Sequence, residues 1–110
     1  GYRLPTNTEY QNLIDNCTRT NGGGWSSSDY GYITLTLKTD SSKKLEFPAV
    51  GSRNYDSSGT LDTAGTWGTY WSSVADGSGN AYSLSFYSSD LTVGDGSIKR
   101  YGFSVRCVRQ

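Results

Sequence analysis

The carboxyl-terminal stretch Tyr101-Gly-Phe-Ser-Val-Arg-Cys-Val-Arg109 constrains the chain more than any other. Tyr101, Phe103, Val105 and Cys107 fall on one side of an extended backbone, and Gly102, Ser104, Arg106 and Val108 on the other. A two-residue period carried by aromatic and β-branched side chains is the pattern of a half-buried strand. The stretch also holds one of the two cysteines, and the other, Cys17, lies near the opposite end. That separation is not the short spacing of a zinc or redox motif. The pair reads either as a bridge closing most of the chain into one loop or as two buried thiols, with the bridge favoured. A loop of that size would add roughly 4–5 kcal/mol on the chain-entropy argument and would imply an oxidising compartment.

At the other end, Thr6 and Glu9 form a capping box. Tyr10, Leu13, Ile14 and Cys17 follow at the spacing of one helix face, which predicts a helix over 7–17 with Cys17 on its buried side. Beyond it the composition turns against helices: the chain holds 14 Gly and 9 Tyr, with abundant Ser and Thr. Asn21–Gly24 stops the helix, and 25–30 reads as loop. Alternation then predicts a hairpin of strands 32–38 and 44–47, with Ile33, Leu35, Leu37, Leu45 and Phe47 inward. Residues 48–68 read as a long irregular loop, of the kind that tends to be functional. Strand 69–73 sets Tyr70 and Trp71 on opposite faces, and Trp71 is assigned to the core. Strand 81–87 turns Tyr82, Leu84 and Phe86 one way, and 88–99 reads as a second loop around Asp95-Gly96. The expected class is α+β in a single domain over 1–110: one main N-terminal helix, short antiparallel strands and long irregular loops.

Charge and composition narrow the function. Lys+Arg and Asp+Glu are both 10, so a dedicated nucleic-acid surface is not expected. Nor is membrane insertion, since no apolar run approaches a span. The absence of His removes the commonest general base and metal ligand. Asp76, Ser78 and Asn80 resemble the start of a calcium loop, but Ala81 and Tyr87 stand where its Gly and Glu belong. Neither a metal, a cofactor nor a nucleophile–base pair is expected. Tyr with Ser, Gly and Asn is instead the mix of adaptable recognition surfaces.

Four motifs carry a family resemblance: Arg3-Leu-Pro-Thr-Asn-Thr-Glu-Tyr10, Gly68-Thr-Tyr-Trp-Ser-Ser73, Asn80-Ala-Tyr-Ser-Leu-Ser-Phe86 and Gly102-Phe-Ser-Val-Arg-Cys-Val-Arg109. In this order, over nearly the whole chain, they resemble the Fibrobacter succinogenes major paralogous domain. The resemblance implies a C-type-lectin-like fold, a bridge from Cys17 to Cys107, and an exported or cell-surface parent protein, anchored to the outer membrane through its other parts. The leading Gly1 fits a piece of such a parent. The variable proteins of diversity-generating retroelements are a second relative, and 68–100 would suit their hypervariable segment. The calcium and sugar motifs of the better-known C-type lectins do not occur in this sequence.

The expected activity is therefore non-catalytic binding of a glycan or protein ligand on a cell surface. The surface would comprise the 48–68 and 88–100 loops and the outer face of strands 69–73 and 81–87. Asn54, Tyr55, Tyr70, Tyr87, Asp90, Asp95 and Arg100 are its candidate residues, the tyrosines supplying area and the others orienting polar groups. A spacer or cap module without a ligand is the alternative.

Overall fold

Thr6 opens the helix as its sequence requires. In the computed structural model, which describes residues 1–54 and 58–110 and only the backbone of Asp95, the Thr6 hydroxyl accepts from the Glu9 amide at 3.1 Å. The Glu9 carboxylate accepts from the Thr6 amide at 3.0 Å in return. Arg3, in the short strand β1 (Tyr2–Arg3), places Nη1 2.6 Å from Glu9 Oε1. This guanidinium, aided by the Thr6 amide, holds the Glu9 carboxyl down at about 2. The helix α1 runs Asn7–Asn16, and its buried residue is Tyr10.

The next elements are β2 (Cys17–Gly22), β3 (Tyr32–Leu37) and β4 (Lys44–Pro48), an antiparallel sheet in that order. A small hairpin, β5 (Ser52–Arg53) with β6 (Leu61–Asp62), lies inside the stretch expected to be irregular. The second main sheet is β7 (Gly68–Asp76), β8 (Asn80–Tyr87) and β9 (Asp90–Ile98), again antiparallel and in order. Finally β10 (Val108–Arg109) pairs with β1.

The core lies between the two larger sheets and α1. Ile33, Leu35 and Phe47 meet Tyr70, Leu84 and Phe86, with Tyr10 and Ala49 among them. Phe47 stands edge-on to Tyr70 at 5.2 Å, and Trp25 edge-on to Phe86 at 6.3 Å. Gly68 is required here, because a Cβ would run into the Phe86 ring.

Several expectations fail for identifiable reasons. β2 shows no apolar alternation because Arg19 and Asn21, on its core-side face, bind backbone instead. Arg19 donates to the carbonyls of Tyr87 and Asp90, and Asn21 Nδ2 to that of Ser88 at 2.6 Å. Two polar side chains thus fasten the β8–β9 turn to the first sheet. β9 was hidden by a bulge. Leu91 and Val93 sit opposite Phe86 and Leu84, but Ser83 pairs with Asp95, so Gly94 is inserted and the inward phase changes parity. Gly94 takes φ 108°, which suits glycine.

The terminal stretch is not one continuous strand. Ser104 runs parallel beside β7, accepting from the Trp71 amide and donating to the Thr69 carbonyl, each at 3.0 Å. Gly102 bridges to Arg53, and only Val108–Arg109 forms a ladder. Val105, expected on the packed side, is 57% exposed.

Cys17 and Cys107 are both free thiols, Cys17 half-buried and Cys107 exposed. Against the expected bridge, Cys17 starts β2 opposite Leu37 while Cys107 leads into β10, in a different sheet. The ends of the chain are joined by hydrogen bonds instead, Tyr2 opposite Arg109 and the Gln110 amide donating to the Gly1 carbonyl at 3.0 Å.

Candidate ligand-binding face

The orientation of the second sheet follows from its buried residues. Leu84 and Phe86 point into the core opposite Tyr70 and Gly68. Their neighbours, the pairs Thr69–Ser85 and Trp71–Ser83, therefore point outward. The outer face is a band of hydroxyls flanked by aromatic rings. On one side Trp67 and Tyr87 pack at 4.5 Å, with planes tilted by 42°. On the other, Trp71 lies 4.2 Å from Phe103, and Phe103 stacks on Tyr101 at 5.4 Å. Between them is a shallow cavity of about 280 Å³ lined by Trp67, Thr69, Ser85, Ser97, Tyr101 and Phe103, together with Ser52, Asp62 and Thr63.

Local backbone chemistry presents these groups. Trp67 is 40% exposed and rides a tight turn in which its amide and that of Thr66 donate to the Thr63 carbonyl. Thr63 sits at φ 55°, costing a β-branched residue about 1–3 kcal/mol. Phe103 is carried to the Trp71 ring by the parallel run of Ser104 along β7. Ser83 is buried on this face, its hydroxyl 3.3 Å from that of Ser85.

The residues expected from sequence divide. Tyr87 lies on the outer face against Trp67. Asp90 is exposed at the turn entering β9, its Oδ1 accepting from the Leu91 amide at 3.0 Å. The Asp95 backbone lies opposite Ser83, and its side chain lies outside the described residues. Arg100 is exposed in the turn that follows β9. Asn54 is half-buried beyond β5 with its amide bonded to the Thr60 carbonyl at 2.9 Å, and it does not line the cavity. Tyr55 lies outside the described residues.

Tyr70 is the correction. It is only 5% exposed, and its hydroxyl donates to the Pro48 carbonyl at 2.8 Å. Burial pushes that hydroxyl up to about 12. It is a core residue, and Trp71, assigned to the core from sequence, takes the outward place.

One protein family, described as Domain of unknown function (DUF8237), has a sequence model that matches residues 35–108. The chain belongs to this family. The matched span of the DUF8237 domain contains Trp67, Trp71, Ser85, Tyr87 and Phe103, hence the whole outer face, and stops short of α1. No curated protein and no solved structure matches the chain. Among the described residues, no helix is long and apolar enough to cross a membrane.

Trp71, Tyr101, Phe103 and the hydroxyls of Thr69, Ser85 and Ser97 were not singled out for this face from sequence. Part of the signal was present. The turn at 77–79 sets Asp76 opposite Asn80, even number against even. With Leu84 and Phe86 inward, an unbroken ladder turns Tyr70 inward and Trp71 outward, and the register shift between Trp71 and Ala75 leaves that parity unchanged. The position of Phe103 beside Trp71 has no comparable local signal, because it depends on a pairing across 32 residues.

Proposed function

We propose that this domain is a non-catalytic binding module of an exported bacterial surface protein, and that it takes a glycan on the outer face of the β7–β8–β9 sheet. The C-type-lectin-like assignment belongs to the same reading and rests on the four sequence motifs. The observation that carries the function is the pairing of partly exposed rings with an uncharged floor. Trp67 with Tyr87 and Trp71 with Phe103 flank Thr69, Ser85 and Ser97. A pyranose ring has an apolar face that stacks on an aromatic ring and hydroxyls around its edge that exchange hydrogen bonds with Ser and Thr. Asp62, which also lines the cavity, adds an acceptor strong enough to orient one sugar hydroxyl.

A glycan array probed with wild-type protein and with Trp67→Ala tests this. The wild type is expected to select a restricted set of glycans, and the variant to lose them while keeping its melting temperature within a few degrees. Equal binding by both proteins, or no selection by the wild type, would sink the proposal.

A further inference from the structure

Along the core-facing side of the first sheet, α1 and the β3–β4 hairpin enclose a groove that shares no residue with the outer-face cavity. A cavity of about 690 Å³ abuts a second of about 260 Å³, and both are bordered by Glu9, Leu13, Leu45 and Val108. The larger volume is within the range, roughly 300–1,000 Å³, that holds small ligands. We propose that this groove binds a free single-chain alkyl carboxylate, its chain along Leu13, Leu35, Leu37 and Leu45 and its head at Lys43.

The wall is built by register. Leu35 and Leu45 face each other across β3 and β4, and Leu37 lies opposite Cys17 across β3 and β2. Lys43, two residues before Leu45, comes to the mouth because its carbonyl accepts from the Leu37 amide at 3.0 Å. Leu45 is 37% exposed although alternation turns it inward, because the groove is open to solvent there.

Three of the polar side chains around the groove are already engaged. Ser42 Oγ donates to Asp40 at 2.6 Å, Asn16 Nδ2 donates to the Asn12 carbonyl at 2.7 Å, and Glu9 is paired with Arg3 at 2.6 Å. An extended peptide would therefore meet few free side-chain partners, whereas an alkyl chain needs none. The charge at the mouth is positive and unmatched. Among the described residues the ion pair is Arg3–Glu9, so neither Lys43 nor Lys44 has an acidic partner. At the far end Arg106 is occupied, donating to the Glu46 carbonyl at 3.0 Å and lying 4.9 Å over the Phe47 ring. An anionic head at Lys43 is the complement of this arrangement.

Calorimetric titration with octanoate, decanoate and dodecanoate below their micellar concentrations tests the proposal. Saturable one-to-one binding is expected, tightening roughly tenfold for each two added carbons, as burial of two methylenes requires. Decyltrimethylammonium should bind at least tenfold more weakly than decanoate, and a Lys43→Glu, Lys44→Glu double variant should reverse that order. Leu45→Asp, at a partly exposed position, should abolish binding of both while the melting curve shows the protein folded. No saturation, no dependence on chain length, or equal binding of cation and anion would overturn it. So would sedimentation showing a dimer that Leu45→Asp dissociates without any decanoate binding, since the groove would then be an interface between two copies.

Discussion

The two faces of the β7–β8–β9 sheet are made of similar residues and do opposite things. Inside, Tyr70 and Phe86 bury their rings and the Tyr70 hydroxyl is satisfied by the Pro48 carbonyl. Outside, Trp67 packs on Tyr87, Trp71 packs on Phe103, which stacks in turn on Tyr101, and hydroxyls lie between the two groups. An aromatic ring therefore has no fixed role in this chain. What decides it is whether the ring meets the first sheet or water, and that is set by a strand register one residue apart.

The contrast breaks most visibly at Phe86. It is fully buried between Trp25, Tyr70 and Gly68, so Phe86→Ala should cost about 3–5 kcal/mol. Denaturant unfolding would show this as a lower midpoint. Tyr70→Phe keeps the ring but removes the hydrogen bond from its hydroxyl to the Pro48 carbonyl, and a loss of about 1 kcal/mol is expected, with glycan binding unchanged. A matching loss of binding would move Tyr70 back to the ligand face.

Thr6→Ala removes half of the capping box that positions Tyr10 under this sheet, where its hydroxyl donates to the Trp71 carbonyl at 3.1 Å. It should cost about 1 kcal/mol, read as a fall of several degrees in melting temperature. Trp67→Ala, on the outer side where the ring is 40% exposed, should cost much less than Phe86→Ala, yet remove ligand binding.

The smallest effect concerns acid. Glu9 titrates near 2 when folded, below its ordinary value of 4.5. Its ionised form therefore stabilises the fold above the ordinary value, and that contribution drains away as pH falls from about 4.5 towards 2. Melting temperatures of the wild type and Glu9→Gln should differ at neutral pH and converge over that window.

How much of this could be read from the residues depends on the range of the interaction responsible. The cap at Thr6 and Glu9, the β3–β4 hairpin and strand β8 are local: each declares itself within a turn or by its own alternation. β2 is not legible, since its core-side Arg19 and Asn21 serve carbonyls about 70 residues away, a relation that leaves no periodic trace. In β9 an apolar period is present up to Val93 and then changes phase at Gly94, so a pattern search sees a loop. Tyr87 lies outward on β8, as the alternation of that strand indicates. Tyr70 and Trp71 were exchanged because alternation states that two neighbours face opposite ways and leaves open which one faces in.

The central claim is that the outer face, and neither the core-lining side nor the α1 groove, receives the glycan. Amide and indole chemical shifts of labelled protein, followed while adding the strongest glycan from the array, test it most directly. The account expects the shifts to concentrate on the Trp67 and Trp71 indoles and on Thr69, Ser85, Tyr87 and Ser97. Shifts gathered instead on Leu37, Lys43 and Leu45, with the two indoles unmoved, would contradict it.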